Sequence, residues 1–148
     1  MKIFNKIKKQ ARLIFKGASG SHNWEHTERV YSLAVHIAKK ERADIDIVSY
    51  AAILHDIARS VEDRSKGKIC HAEYGAKMAE KLLLRNKIPQ DMVRRITQCI
   101  ETHRYRTNKK PETLEAKVIF DADKLDSIGA VGIGRAFLFA GGSRGKAP

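Results

Sequence analysis

Residues 45–59 read IDIVSYAAILHDIAR. From Val48 to Leu54 the run is apolar on nearly every side, a pattern a helix carries when it is buried inside a bundle. At its end stand His55 and Asp56. An ionised carboxylate in apolar surroundings costs several kcal/mol unless it is paired or bound to a cation. A buried neutral histidine needs partners for its ring nitrogens. One divalent ion answers both needs, because imidazole nitrogen and carboxylate oxygen are its usual ligands.

Outward from this stretch the spacing is helical almost throughout. A preceding helix is expected from about Trp24 to Lys40, with Val30, Leu33, Ala34, Ile37 and Ala38 on one side. Before it, Ile3, Phe4, Ile7, Ala11, Ile14 and Phe15 recur at three- and four-residue steps among lysines. The first 17 residues thus form a basic amphipathic helix, packed on the bundle or laid on a membrane surface. Gly17 and Gly20 end it, and Ser19 or Ser21 can cap the next helix. Residues 60–70 look like an exposed polar loop. Helices follow at about 71–86 and 90–103, then a basic loop from Arg104 to Pro111, then helical spacing from Glu112 to about Ala140. Residues 141–148, GGSRGKAP, read as a flexible or truncated tail. With no strand signal and no repeat, 148 residues make one all-α domain, a bundle of about six to seven helices.

The chain carries 29 basic and 17 acidic residues, a net charge of +12. Six of the basic residues lie within residues 1–16, and others cluster between Arg85 and Lys117. That balance favours anionic partners: phosphate esters, nucleotides, nucleic acid or a membrane surface. No apolar run approaches the roughly 18 to 20 residues of a membrane span. The N-terminus lacks a secretory signal. Cys70 and Cys99 form no spaced motif and read as reduced thiols, so a cytoplasmic protein is expected. Oligomeric state is not legible.

Two further segments supply ligand types beside apolar faces. His26 opens the helix before the doublet, and Asp121, Asp123 and Asp126 cluster in FDADKLDSIG among Val118, Ile119, Phe120, Ala122, Leu125 and Ile128. Three separate helices thus converge as metal sites in helical bundles do. The mixed nitrogen and oxygen set suits manganese, iron, cobalt, nickel or zinc, with magnesium a further option.

The order His, His-Asp, Asp resembles the signature of the HD-domain superfamily of metal-dependent phosphohydrolases. Three segments resemble its predicted-hydrolase branch: SHNWEHTERV around His26, AAILHDIAR around His55 and Asp56, and DADKLDSIGAVGIGRAF. The resemblance runs from about residue 19 to 142 and implies a helical bundle, a divalent metal and hydrolysis of phosphate esters or anhydrides. It implies His26, His55, Asp56 and Asp123 as metal ligands, with Asp121 the fallback for the last. Asp126 is then an acid behind the ligands, or a helix cap. His71 and His103 match the order of residues that complete a second ion in two-metal members, with the doublet aspartate bridging; otherwise they bind phosphate or orient water. Asp56 and His103 are the catalytic candidates. One ion is expected and two are possible. Arg59, Lys124 and His22 are candidates for substrate phosphate, and His36 is expected to be structural. A related nucleotidase branch has a glutamate three residues after the doublet; here that residue is Arg59, so no catalytic glutamate carries over. Nucleotides are the recurring substrates of the superfamily. The alternatives are a nuclease or cyclic-nucleotide phosphodiesterase at the same site, or a non-catalytic module binding a nucleotide or nucleic acid. A scarcity of clustered aromatics for base stacking weighs against the nuclease.

Overall fold

A computed structural model describes residues 2–15, 23–104 and 109–142. The described residues form eight helices and no strand: α1 (Lys2–Ile14), α2 (Trp24–Glu41), α3 (Ile45–Leu54), α4 (Arg59–Arg64), α5 (His71–Arg85), α6 (Gln90–Thr102), α7 (Leu114–Leu125) and α8 (Gly129–Gly142). The all-α expectation holds. Two boundaries differ from the sequence reading. Part of the expected 60–70 loop is α4, a short helix, because Glu62 turns inward and is buried. The expected helix from 112 to 140 is two, parted where Gly129 adopts φ +70°, a left-handed backbone that glycine enters without steric cost.

The apolar run places α3 at the centre. Every residue from Ile47 to Leu54 is buried, and α1, α2, α6 and α7 pack around it. Asp44 starts this helix by accepting hydrogen bonds from the backbone N–H groups of Asp46 and Ile47. α5 packs on α6, and α4 lies against α5. α1 covers one side of the bundle through buried Ile7 and Ala11, joined by Phe15 just beyond its end. Phe4 stacks on Tyr31 and meets Tyr50 edge-on, with ring centroids 5.7 and 5.3 Å away. The bundle-packing reading of that helix is therefore the one the fold adopts. The cap of α2 is Asn23, whose side chain accepts from His26 N–H; Gly17, Ser19, Gly20 and Ser21 lie outside the described residues, as do 143–148 of the tail. No helix among the described residues is long and apolar enough to cross a membrane.

Cys99 is wholly buried on α6, and burial together with Glu115 pushes its thiol up to about 12. A thiol reagent at pH 8 is therefore expected to react with partly exposed Cys70 and to reach Cys99 only after denaturant is added. Equal native rates at both would contradict this packing of α6.

Candidate metal centre

Five elements deliver the polar residues of the interior. His26 lies in the first turn of α2, held by the Asn23 cap. His55 and Asp56 occupy the turn between α3 and α4, where the buried helix ends. His71 is the first residue of α5, His103 follows the last residue of α6, and Asp123 sits in the last turn of α7. All four histidines and Asp56 are buried.

They form two groups. In the first, His26 Nε2 is 3.3 Å from His55 Nε2 and 3.3 Å from Asp123 Oδ1. His55 Nε2 is 3.9 Å from that same oxygen. In the second, His71 Nε2 is 3.2 Å from His103 Nε2 and 3.3 Å from Asp56 Oδ1, with His103 Nε2 at 3.7 Å from that oxygen. Asp56 stands between them, since its Oδ2 lies 3.8 Å from His26 Nε2 and 3.7 Å from His55 Nε2. Neighbouring ligands on an ion with bonds of roughly 2.1 Å are about 3.0 to 3.5 Å apart. Both groups have that scale, and each offers three donor atoms mutually within 4.8 Å.

The hydrogen bonds behind the rings decide what these atoms are. His26 Nδ1 donates to Asp126 Oδ2 at 2.7 Å, and His71 Nδ1 donates to Glu62 Oε2. His55 Nδ1 donates to the Ala52 carbonyl at 2.8 Å, and His103 Nδ1 to the Ile100 carbonyl at 2.5 Å. A carbonyl or carboxylate oxygen can only accept, so the Nδ1 atoms carry the protons and each neutral ring presents a bare lone pair at Nε2. The Nε2 atoms thus meet in pairs at 3.3 and 3.2 Å, beside carboxylate oxygens. Such a donor set suits a cation, and tethering of the far nitrogen is how ligating imidazoles are oriented.

Burial lowers His55 to about 4, against the opposing pull of Asp56 and Asp123, so this ring is neutral near pH 7. Burial also lowers His71. For His103 burial acts in the same sense, but the nearby Asp56 carboxylate and the Asp123 charge outweigh it and raise the pKa. Asp123 is held far below the carboxylate range: burial would raise it, but the His26 hydrogen bond, with His55, His103 and Lys124, prevails.

Of the residues singled out in the sequence, the fold gathers His26, His55, Asp56, His71, His103 and Asp123. Asp121 is exposed on the outer side of α7, so Asp123 is the aspartate at the cluster. Asp126 sits directly behind His26 as the C-cap of α7, and also accepts from Arg29 Nε at 2.6 Å and Arg135 Nη1 at 2.7 Å. Arg59 pairs with Glu62 and Asp63, and Lys124 donates to Asp123 Oδ2 at 2.7 Å and to the His103 carbonyl at 3.1 Å. Both cations therefore already have partners. His36 is exposed and away from the cluster; His22 lies outside the described residues. Glu62 was not among the sequence candidates, and nothing local distinguishes it within SVEDRSKG. Its position behind His71 depends on α5 and on Arg104 Nη1, 3.0 Å from Glu62 Oε1. A cavity of about 550 Å³ between α2 and the α7–α8 turn touches Asp126 but none of the donor atoms' residues, and so is not the chemical site.

Comparison with known proteins gives the same centre a lineage. The HD domain profile matches residues 23–128, a span containing every donor and both carboxylates behind them. The uncharacterised Bacillus subtilis protein YpgQ is 33% identical over 149 residues, covering 95% of this chain and 68% of YpgQ. Its crystal structure in complex with ADP aligns at a TM-score of 0.76, with 34% identity over 98% of this chain and 69% of that one. A predicted HD superfamily hydrolase from an uncultured Thermotogales bacterium aligns at 0.80, with 35% identity over 93% of this chain and 76% of that one. Ribonuclease Y of Chloroflexus aurantiacus is 30% identical over 119 residues, which are 80% of this chain but 21% of that protein. Helical bundle, paired histidine and aspartate clusters and matched span agree: the chain belongs to the HD domain family, and its relatives include HD superfamily hydrolases.

Proposed function

We propose that this protein is a metal-dependent phosphohydrolase acting in the cytoplasm on a nucleotide or a related phosphate ester or anhydride. The observation that carries the reading is the convergence of four Nε2 atoms, each on a ring tethered through Nδ1, on two aspartates. His26, His55, Asp123 and Asp56 Oδ2 would hold one divalent ion, and Asp56 Oδ1, His71 and His103 a second. A bound ion supplies Lewis acidity toward a phosphoryl oxygen and lowers the pKa of water. The protein's own part is to keep the nitrogens deprotonated through their Nδ1 bonds, to fix both Asp56 oxygens, and to surround the donors with apolar α3. With the second position unloaded, His103 can carry a proton at Nε2 and donate it toward a leaving or phosphoryl oxygen. Arg59 and Lys124 contact substrate phosphate only by exchanging their present carboxylate partners. The YpgQ complex with ADP supports a nucleotide ligand.

The second reading, a nuclease or phosphodiesterase at the same centre, is favoured by the Ribonuclease Y match and the net charge of +12. Metal analysis joined to a phosphate-release screen separates the two. Nucleoside mono-, di- and triphosphates are offered beside cyclic nucleotides and single-stranded oligonucleotides, with manganese, cobalt, nickel, zinc or magnesium. Chelator-sensitive phosphate release from nucleotides is expected. Cleavage of oligonucleotides or cyclic nucleotides alone selects the second reading. Salt-sensitive binding without turnover that survives His55→Ala and Asp56→Ala points instead to a binding module.

A further inference from the structure

Behind each donor group the protein repeats one arrangement. One histidine of each pair is tethered to a carbonyl three residues earlier in its own chain: His55 to Ala52 and His103 to Ile100. The other is tethered to a carboxylate from another element: His26 to Asp126 and His71 to Glu62. Each carboxylate is in turn held by two arginines. Arg29 and Arg135 hold Asp126. Arg104 lies 3.0 Å from Glu62 Oε1, and Arg59 lies 3.5 Å from Oε2.

Carbonyl-tethered rings are oriented by their own helix ends. The orientation of His71 depends instead on Glu62, six residues after Asp56 on α4. Glu62 is buried, and its carboxylate is flanked by the Arg104 and Arg59 guanidinium groups. An ionised carboxylate behind an imidazole makes its far nitrogen a stronger donor than a carbonyl does, and loss of such a partner weakens metal binding about 10- to 100-fold.

We propose that Glu62 is the positioning residue of the second cation position: through His71 Nδ1 it sets how tightly that position is loaded, independently of the first. This rests on the metal-centre reading above. It gives the protein separate control of its two positions, Asp126 behind the first and Glu62 behind the second.

The test uses the full chain, manganese titration by calorimetry, and electron paramagnetic resonance of the loaded protein. Wild type is expected to bind two ions as an exchange-coupled pair. Glu62→Gln preserves the side chain's size, and Glu62→Asp preserves its charge but is too short to reach His71. Each is expected to weaken the second binding step about 10- to 100-fold and to leave the hyperfine pattern of a lone ion, with the first step unchanged. Circular dichroism checks that the helices persist. If both variants load two ions with wild-type affinity, or lose both equally, the proposal is overturned while the metal-centre reading stands. A wild type binding one ion also overturns it and leaves a one-ion hydrolase; a wild type binding none overturns both.

Discussion

Asp56→Ala is expected to remove turnover by on the order of 10³-fold or more, about 4 kcal/mol of barrier, and to strip the protein of metal while leaving its helices folded. Asp56 faces both groups: Oδ1 lies 3.3 Å from His71 Nε2 and Oδ2 lies 3.7 Å from His55 Nε2. On the proposed reading, deleting it would remove a ligand from each position and the negative charge that would offset the cations. The variant without metal loses a buried carboxylate rather than a packing group, so its melting temperature should stay near that of metal-free wild type. What disappears is the gain on adding metal. A ligand at a hundredfold excess over Kd stabilises the native state by about 2.7 kcal/mol, or roughly 5 to 11 °C in a domain of this size. Elemental analysis, thermal melts with and without manganese, and phosphate release report on this together. A wild-type metal content in Asp56→Ala would sink the assignment of the centre.

The second large effect is on stability. Asp126→Asn is expected to lower it by about 2 to 3 kcal/mol, somewhat less than the 3 to 5 typical of breaking a fully buried ion pair, because Arg29 is 36% exposed and can turn to water. Asp126 accepts from His26, from Arg29 at 2.6 and 3.1 Å and from Arg135 at 2.7 Å, so it ties α2 to the α7–α8 turn. Burial would raise its pKa, but Arg29, His26 and Arg135 hold it below the ordinary 3.8. A depressed folded-state value means the stabilisation is complete above the unfolded-state pKa and is lost as pH falls through the folded one. The gap between wild type and variant in urea melts should therefore be widest at pH 7 and narrow below about pH 4. Equal midpoints at pH 7 would show that the network contributes nothing.

The helices and the heart of the centre were readable because their signals are local. The run from Val48 to Leu54 announces burial by itself, and His55 and Asp56 beside it demand a partner. The resemblance already preferred Asp123 to Asp121, and the fold gives the reason: neighbours two apart on a helix face different ways, and α7 turns Asp123 inward. Glu62 was hidden for the opposite reason. Its surroundings come from His71 and Arg104, nine and 42 residues onward, while its own neighbours are polar. The arginine pairs behind Asp126 and Glu62 share that character, and pattern along the chain carries no trace of charges that meet across it. The break between α7 and α8 did have a sign in Gly129, outweighed by the apolar spacing on either side.

The bond from His26 to Asp126 spans 100 residues, whereas those of His55 and His103 span three. On a ribosome adding about 5 to 20 residues each second, Asp126 emerges roughly 5 to 20 s after His26. His55 can be oriented as soon as its helix forms; His26 must wait for almost the whole domain. Asp56, Glu62, His71 and His103 are all made by residue 103, so the second group can order before the first, which waits for Asp123 and Asp126.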